Sequence, residues 1–170
     1  MVLNQTSRIL DQNQIAQKIK RIAYQIYERN FTEQEVLLAG IHQNGYALAE
    51  RIAQQLSDIS PLQVSLIRVV LDKETPLEQP VQLQPEQINV SGKVIILVDD
   101  VLNTGKTLAY SLIPFLQASP KKIETATLID RHHTLYPVSV TYTGYSLSTT
   151  LQEHVKVVLD GETEAGAYLV

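Results

Sequence analysis

Val94-Ile95-Ile96-Leu97-Val98-Asp99-Asp100-Val101-Leu102-Asn103-Thr104-Gly105-Lys106-Thr107 is the stretch on which the reading of this chain turns. Its first five residues are apolar, and four of them are β-branched, as a strand buried on both faces requires. Two adjacent carboxylates, Asp99 and Asp100, end the run. A Thr-Gly-Lys-Thr turn then opens a helix expected over 107–116, which Pro114 should kink or end. In open α/β sheets, ligands bind beyond the carboxyl ends of the strands, where this turn would lie. Backbone N–H groups around Thr104 to Thr107 would point outward at the helix start and hold a phosphate, with the Thr104 and Thr107 hydroxyls as extra donors. Gly105 would let the backbone approach the anion with no Cβ in the way. The helix dipole adds only about 0.3–1 kcal/mol at such an end, so the oriented hydrogen bonds matter more.

Carboxylates beside a phosphate would repel it. The arrangement makes sense for a phosphorylated sugar, whose vicinal hydroxyls donate to carboxylates and whose ring can develop positive charge. A bound metal would relieve the remaining repulsion. Other phosphate motifs fit less well. A Walker A loop needs glycine five positions before Gly105, and Asp100 stands there; no G-x-G-x-x-G follows a strand. Paired aspartates at a strand end also serve simply as turn caps. A phospho-accepting receiver domain, with Asp99 or Asp100 as acceptor, leaves the Thr-Gly-Lys-Thr turn unexplained.

Working outward, Asp11 and Gln14 form a capping box. Ile15, Ile19, Ile22, Ala23 and Ile26 recur at helical spacing, which predicts a helix over 12–29. A buried strand over 36–41 follows, then a turn at His42-Gln43-Asn44-Gly45 and a helix over 46–56. Further strands are expected over 64–71, 123–129, 138–142 and 155–159. This alternation predicts an α/β fold, a mostly parallel twisted sheet flanked by helices with right-handed crossovers, as a single domain over 1–170. Only 72–91 breaks the rhythm. It holds three of the seven prolines, and reads either as an exposed hairpin around Val81-Gln82-Leu83 or as a lid over the site.

Composition narrows the function classes. A chain of 170 residues, 44% hydrophobic and 19% charged, is long enough to bury a core. The net charge of -4 gives no overall attraction to nucleic acid or an anionic membrane. With no cysteine, disulfides, thiolate metal sites and thiol nucleophiles are excluded. The start has no signal-peptide pattern, and no apolar run approaches the roughly 20 residues a membrane span needs. A cytoplasmic protein is expected.

The 94–107 string resembles the motif by which type I phosphoribosyltransferases bind 5-phosphoribosyl-1-pyrophosphate (PRPP): an apolar strand, an acidic pair and a small-residue phosphate loop. The resemblance implies Asp99 and Asp100 on the ribose hydroxyls, Asn103, Thr104, Gly105, Lys106 and Thr107 on the 5-phosphate, Mg²⁺ as cofactor, a small hood and a flexible lid. Ser7-Arg8-Ile9-Leu10-Asp11, Tyr24 to Asn30, Ala39-Gly40-Ile41, Leu128-Ile129-Asp130-Arg131-His132-His133 and Tyr142-Thr143-Gly144 extend it over nearly the whole chain. Together they are similar to the bifunctional pyrimidine-operon attenuator and uracil phosphoribosyltransferase family. That likeness implies transfer of phosphoribose from PRPP to uracil, giving UMP, a dimer or larger homo-oligomer, and a possible RNA partner. Other nucleobases remain open.

Two departures stand out. The family's pyrophosphate loop carries a Lys-Thr-Arg-Gly pattern, whereas His42, Gln43, Asn44 and Gly45 bring no permanent positive charge. His42 is either a polar turn residue or a group charging below about pH 6.5. The family also has glycine between the arginine and the histidine of the Asp130-Arg131 segment, where His132 stands here. The adjacent histidines suggest exposed loop residues before metal ligands. Asp130 and Arg131 are carried over to the base side of the site, and Lys73, the one basic residue of 72–91, becomes the candidate to neutralise pyrophosphate. The competing reading is a PRPP- or nucleotide-sensing, RNA-binding regulator with little catalysis. The weak loop favours it and the net charge opposes it; Lys18, Lys20 and Arg21, and Lys121 with Lys122, are the basic clusters it would use.

Overall fold

The computed structural model describes residues 7–160 and 164–170. Along the chain run β1 (Ser7–Asp11), α1 (Gln12–Arg29), β2 (Glu35–Ile41), α2 (His42–Ile59), β3 (Gln63–Val70), β4 (Gln82–Gln84) and β5 (Val94–Leu102). They are followed by α3 (Lys106–Ser111), α4 (Ile113–Leu116), β6 (Lys122–Asp130), β7 (Tyr142–Ser146), β8 (Val155–Val158) and β9 (Gly166–Leu169).

The capping box starts α1 as expected: Gln14 N–H donates to Asp11 Oδ1 at 2.8 Å, and Asp11 N–H to Gln14 Oε1 at 2.9 Å. Its apolar stripe of Ile15, Ile19, Ile22, Ala23 and Ile26 is buried, each isoleucine stabilising the fold by about 1.5–3 kcal/mol. The stripe packs on one face of a six-stranded sheet of order β4-β3-β2-β5-β6-β7, parallel except for β4. Strand alternation divides the sheet's side chains between two cores. Val36, Leu38, Ile96 and Val98 face α1 and α2; Leu37, Ala39, Ile95 and Leu97 face Leu108, Phe115 and Val90. Both faces being covered is why β2 and β5 read as unbroken apolar runs. A second, antiparallel sheet of order β1-β9-β8 joins the two ends of the chain, with Ser7 opposite Leu169.

Four expectations need correction. The segment 42–45 is not a turn ahead of a helix; α2 begins at His42, whose φ of 52° makes the bend at a single residue. β5 does not stop before the aspartates but carries them and runs on to Leu102, because Val101 and Leu102 still pair with Ile129 and Asp130. The expected helix over 107–116 is two short helices broken at Leu112, just ahead of Pro114. The strand expected over 138–142 lies at Tyr142–Ser146 instead. The alternating Val138-Ser139-Val140 stretch does run beside β6, held by a single backbone bond, Thr141 N–H to Thr125 O at 3.0 Å, and by side chains. Thr125 Oγ1 donates to Ser139 O at 2.8 Å, and Thr141 N–H donates to Thr125 Oγ1 at 3.1 Å.

In 72–91, the hairpin is present: β4 pairs antiparallel with β3, Leu83 opposite Val69. Its base is fixed by Asp72, whose carboxylate accepts Glu74 and Thr75 N–H groups. Among the described residues no helix is long and apolar enough to cross a membrane.

Candidate functional site

At the carboxyl end of the parallel sheet lies a cleft of about 240 Å³ lined by Lys73, Asp99 to Leu108 and Val155. It gathers both aspartates, Lys73 and all of Asn103 to Thr107, the residues that the sequence placed together.

The two carboxylates are set in different surroundings. Asp99 is 3% exposed, its Oδ1 accepting Asp100 N–H at 2.9 Å, with Lys73 Nζ 3.9 Å away. Burial and then the charge of Asp100 hold its carboxyl well above the usual range, and Lys73 opposes them only in part. Asp100 is half-buried; its Oδ1 accepts Val101 N–H and its Oδ2 accepts the Asn44 side-chain amide at 3.0 Å. Thus Asp100 is the carboxylate that reaches the cleft as an acceptor, while Asp99 backs it from inside.

Helix α2 comes this close because residue 45 is glycine. A Cβ there would stand 2.7 Å from Val98 O and 3.3 Å from Asp99 Cα. Asn44 joins the aspartates to β8 by donating also to Val157 O at 3.1 Å. Gln43 is exposed, and His42 sits behind Lys73. Burial and the neighbouring ammonium push the His42 imidazole below its ordinary value, outweighing the Leu71 carbonyl and Asp72. The His42 ring therefore takes its proton only at lower pH than a free imidazole does.

The 103–107 loop is held from behind. Thr104 O accepts Leu135 N–H at 2.7 Å and Tyr136 N–H at 3.1 Å, and Thr104 Oγ1 accepts Lys106 N–H at 3.3 Å. Gly105 has φ 84°, and a Cβ there would meet Val138 Cγ2 at 2.5 Å. Glycine is thus required by the left-handed backbone and by packing against Val138, beside the role expected for it in letting an anion approach. Lys106 Nζ donates to Glu74 O at 3.2 Å, tying the loop to the base of the 72–91 segment. Thr107 lines the cleft.

Next to the cleft, and sharing Asn103, Thr104 and Val155 with it, is a more apolar pocket of about 390 Å³. Arg131, His133, Leu135, Leu151 and His154 complete its wall. Of the two residues carried to the base side, Arg131 arrives here. Asp130 does not: its Oδ1 caps His132 N–H at 2.9 Å, stabilising a turn in which His132 has φ 57°. A left-handed backbone suits glycine, the residue that the resemblance implies at this place. Sequence reasoning missed Val155, Leu135, Leu151 and His154. They come from irregular segments and β8, and no motif marks them. Among the described residues no cluster of three or more acidic, histidine or cysteine side chains could hold a metal alone. A Mg²⁺ site would fit only as one or two carboxylates plus substrate oxygens, a sharing this ion commonly uses, and Asp100 offers such a carboxylate.

Most of the basic side chains contact the protein's own surface, while Lys20 is exposed. Arg21 donates to Thr143 O and Gly144 O, Lys18 lies 5.7 Å from the Tyr145 ring centroid, and Lys121 pairs with Glu33 at 2.6 Å.

Comparison with known proteins agrees with this geometry. Among solved structures, hypoxanthine phosphoribosyltransferase of Trypanosoma cruzi superposes with a TM-score of 0.71 at 16% identity, covering 83% of this chain and 81% of that one. A hypoxanthine-guanine phosphoribosyltransferase of Bacillus anthracis gives 0.70 at 20% identity, covering 82% and 81%. These likenesses speak for the fold. Among curated relatives, the Bifunctional protein PyrR of Pelotomaculum thermopropionicum is 38% identical over 166 residues, 92% of each chain. That of Bacillus subtilis is 32% identical over 167 residues, 93% of this chain and 92% of the relative. The model of the phosphoribosyl transferase domain matches residues 5–160, its acidic strand end and phosphate loop falling inside the match. On its sequence, its sheet order and the contents of its cleft, the chain belongs to the phosphoribosyl transferase domain family.

Proposed function

We propose that the chain, acting as one domain, transfers the 5-phosphoribosyl group from PRPP to a nucleobase, uracil foremost, to give UMP and pyrophosphate. The observation that carries this is the adjacency of two cavities. A polar cleft with a carboxylate pair and a phosphate loop opens onto an apolar pocket across Asn103, Thr104 and Val155. A sugar phosphate fits the first and a flat base the second.

In this reading the N–H groups from Thr104 to Thr107 and the Thr104 and Thr107 hydroxyls hold the 5-phosphate. Asp100 accepts from the ribose hydroxyls. Asp99 lies behind it and adds negative potential when ionised, which favours the positive charge that develops on the ring. The base nitrogen donates its lone pair to C1 while the C1–O bond to pyrophosphate breaks; the nitrogen's proton leaves with the pyrophosphate. Lys73 and Lys106 are the cations of the cleft wall positioned to offset the leaving charge. Mg²⁺, entering with PRPP, would be shared between substrate oxygens and Asp100 and would neutralise charge on the leaving group. Copies are expected to associate as a dimer or larger assembly, which the mass in solution checks.

Pyrophosphate release from PRPP with Mg²⁺, across uracil, orotate, adenine, guanine and hypoxanthine, tests the reading. Release with uracil above the others is the expected result; no release with any base opposes it.

A second reading keeps the same ligand but little catalysis: a regulator that senses PRPP or a nucleotide and binds RNA. The neutral His42 ring and the amide at Asn44 favour it, because the pyrophosphate loop brings no cation. Salt-dependent retention on a pyrimidine leader RNA would support it.

A further inference from the structure

The pocket that would receive the base has a wall with little regular structure. Residues 148–153, between β7 and β8, belong to no helix or strand. Backbone polar groups withdrawn from water need partners, and here a side chain supplies them. Arg131, 6% exposed, donates from Nε to Thr149 Oγ1 at 3.0 Å and from Nη2 to Thr150 O at 3.3 Å and to Glu153 O. Its remaining bond, Nη1 to Asn103 Oδ1 at 2.6 Å, crosses to the end of the phosphate loop. Asn103 lines both cavities, so this contact lies on the ridge between them.

All four acceptors are neutral oxygens. An arginine meant to grip an anion keeps its planar fork free for bidentate contact, whereas this one has spent four of its five N–H groups on the protein. His133 adds a second tie on the same side, Nε2 to Thr149 O at 2.5 Å.

We propose that Arg131 is a positioning residue: it latches the 149–153 wall to Asn103, so that recognition of the base depends on it while the grip on the sugar phosphate does not. The inference rests on the sugar-phosphate reading of the cleft, and the experiment separates the two. Affinity for UMP and for ribose 5-phosphate, which lacks the base, is measured by calorimetry on the full chain and on Arg131→Gln, Arg131→Lys and Thr149→Val. The parent should prefer UMP. Arg131→Gln should lose about tenfold in UMP affinity with less than about a twofold change for ribose 5-phosphate. Arg131→Lys restores charge without the fork, and should remain close to the Gln variant. Thr149→Val should weaken UMP in the same direction, and its effect should vanish in the Arg131→Gln background.

Equal loss of both ligands in Arg131→Gln, or recovery in Arg131→Lys, would overturn the latch. A parent that binds ribose 5-phosphate with no preference for UMP overturns the latch alone. A parent that binds neither overturns the sugar-phosphate reading and the latch with it. If Arg131→Gln does not fold, Thr149→Val decides: UMP affinity equal to the parent's overturns the proposal.

Discussion

Asn44 donates its side-chain amide to the Asp100 carboxylate at 3.0 Å and to Val157 O at 3.1 Å, so a neutral group joins the acidic pair to β8. It is the third residue of α2, in the segment 42–45 where the family resemblance implies Lys-Thr-Arg-Gly. Replacing Asn44 by Arg places a fixed cation beside Asp100. Affinity for pyrophosphate with Mg²⁺ should then rise about tenfold, the scale of one charge-assisted hydrogen bond. Calorimetry with pyrophosphate checks this, and unchanged affinity would mean that the loop does not limit pyrophosphate binding.

Asp100 touches the cleft and is half-buried, so its charge matters more to ligand than to fold. Asp100→Asn should lower kcat by roughly 10²-fold, the usual cost of removing one electrostatic stabiliser. Its stability should fall by no more than about 1 kcal/mol, because Asn still accepts Val101 N–H and gives up only the exposed bond from Asn44. Turnover and a melting curve on the same preparation check both halves, and normal turnover removes Asp100 from the mechanism.

Asp99 makes stability depend on pH. Its folded-state value is raised, so the folded chain holds this proton more tightly than the unfolded chain. Its contribution is therefore full below the ordinary carboxylate range and is lost as pH climbs through the raised value. Asp99→Asn removes the charge but keeps an oxygen for Asp100 N–H. The variant should melt above the parent at pH 8, with the gap closing toward pH 4. Thermal melts across that range check it; a constant gap counts against the burial penalty.

Gly105→Ala adds a Cβ at a left-handed residue and drives it to 2.5 Å from Val138 Cγ2. The expected cost is about 1–3 kcal/mol, read from denaturant unfolding. Adding Val138→Ala should return only part of it, because the backbone strain stays when the contact goes. Full recovery would show that packing alone demands the glycine.

Much of the fold was legible because it is locally written. The stripe of α1, its capping box and the apolar runs of β2 and β5 each announce themselves within one window. Other features depend on residues far apart in the chain. β1 and β9 pair Ser7 with Leu169, and neither short strand has an apolar pattern to declare it. Val138 to Tyr142 has the alternation of a strand, yet only one backbone bond, Thr141 N–H to Thr125 O, ties its end to β6, and the Thr125 and Thr141 hydroxyls supply the other contacts. The site was read in the same uneven way. Asp99 to Thr107 are contiguous and were found together, and Lys73 followed from being the one cation in its segment. Nothing in the spacing of Leu135, Leu151, His154 or Val155 says that they meet beside Asn103 and Thr104, because folding brings them there from separate segments.

The two sheets divide the protein in a way that bears on how it can change. β5, which carries Asp99 and Asp100, is flanked by β2 and β6 in the centre of the larger sheet, and its amides should be among the slowest to exchange with deuterium. The β1-β9-β8 sheet is a separate layer drawn from opposite ends of the chain, with Val155 and Val157 as its links to the cleft. On the reading proposed above, substitutions beside Val155 can shift which base is accepted without disturbing the strand that holds the acidic pair. For a laboratory selection aimed at a new acceptor base, residues 147–158 are the segment to randomise and β5 the one to leave untouched.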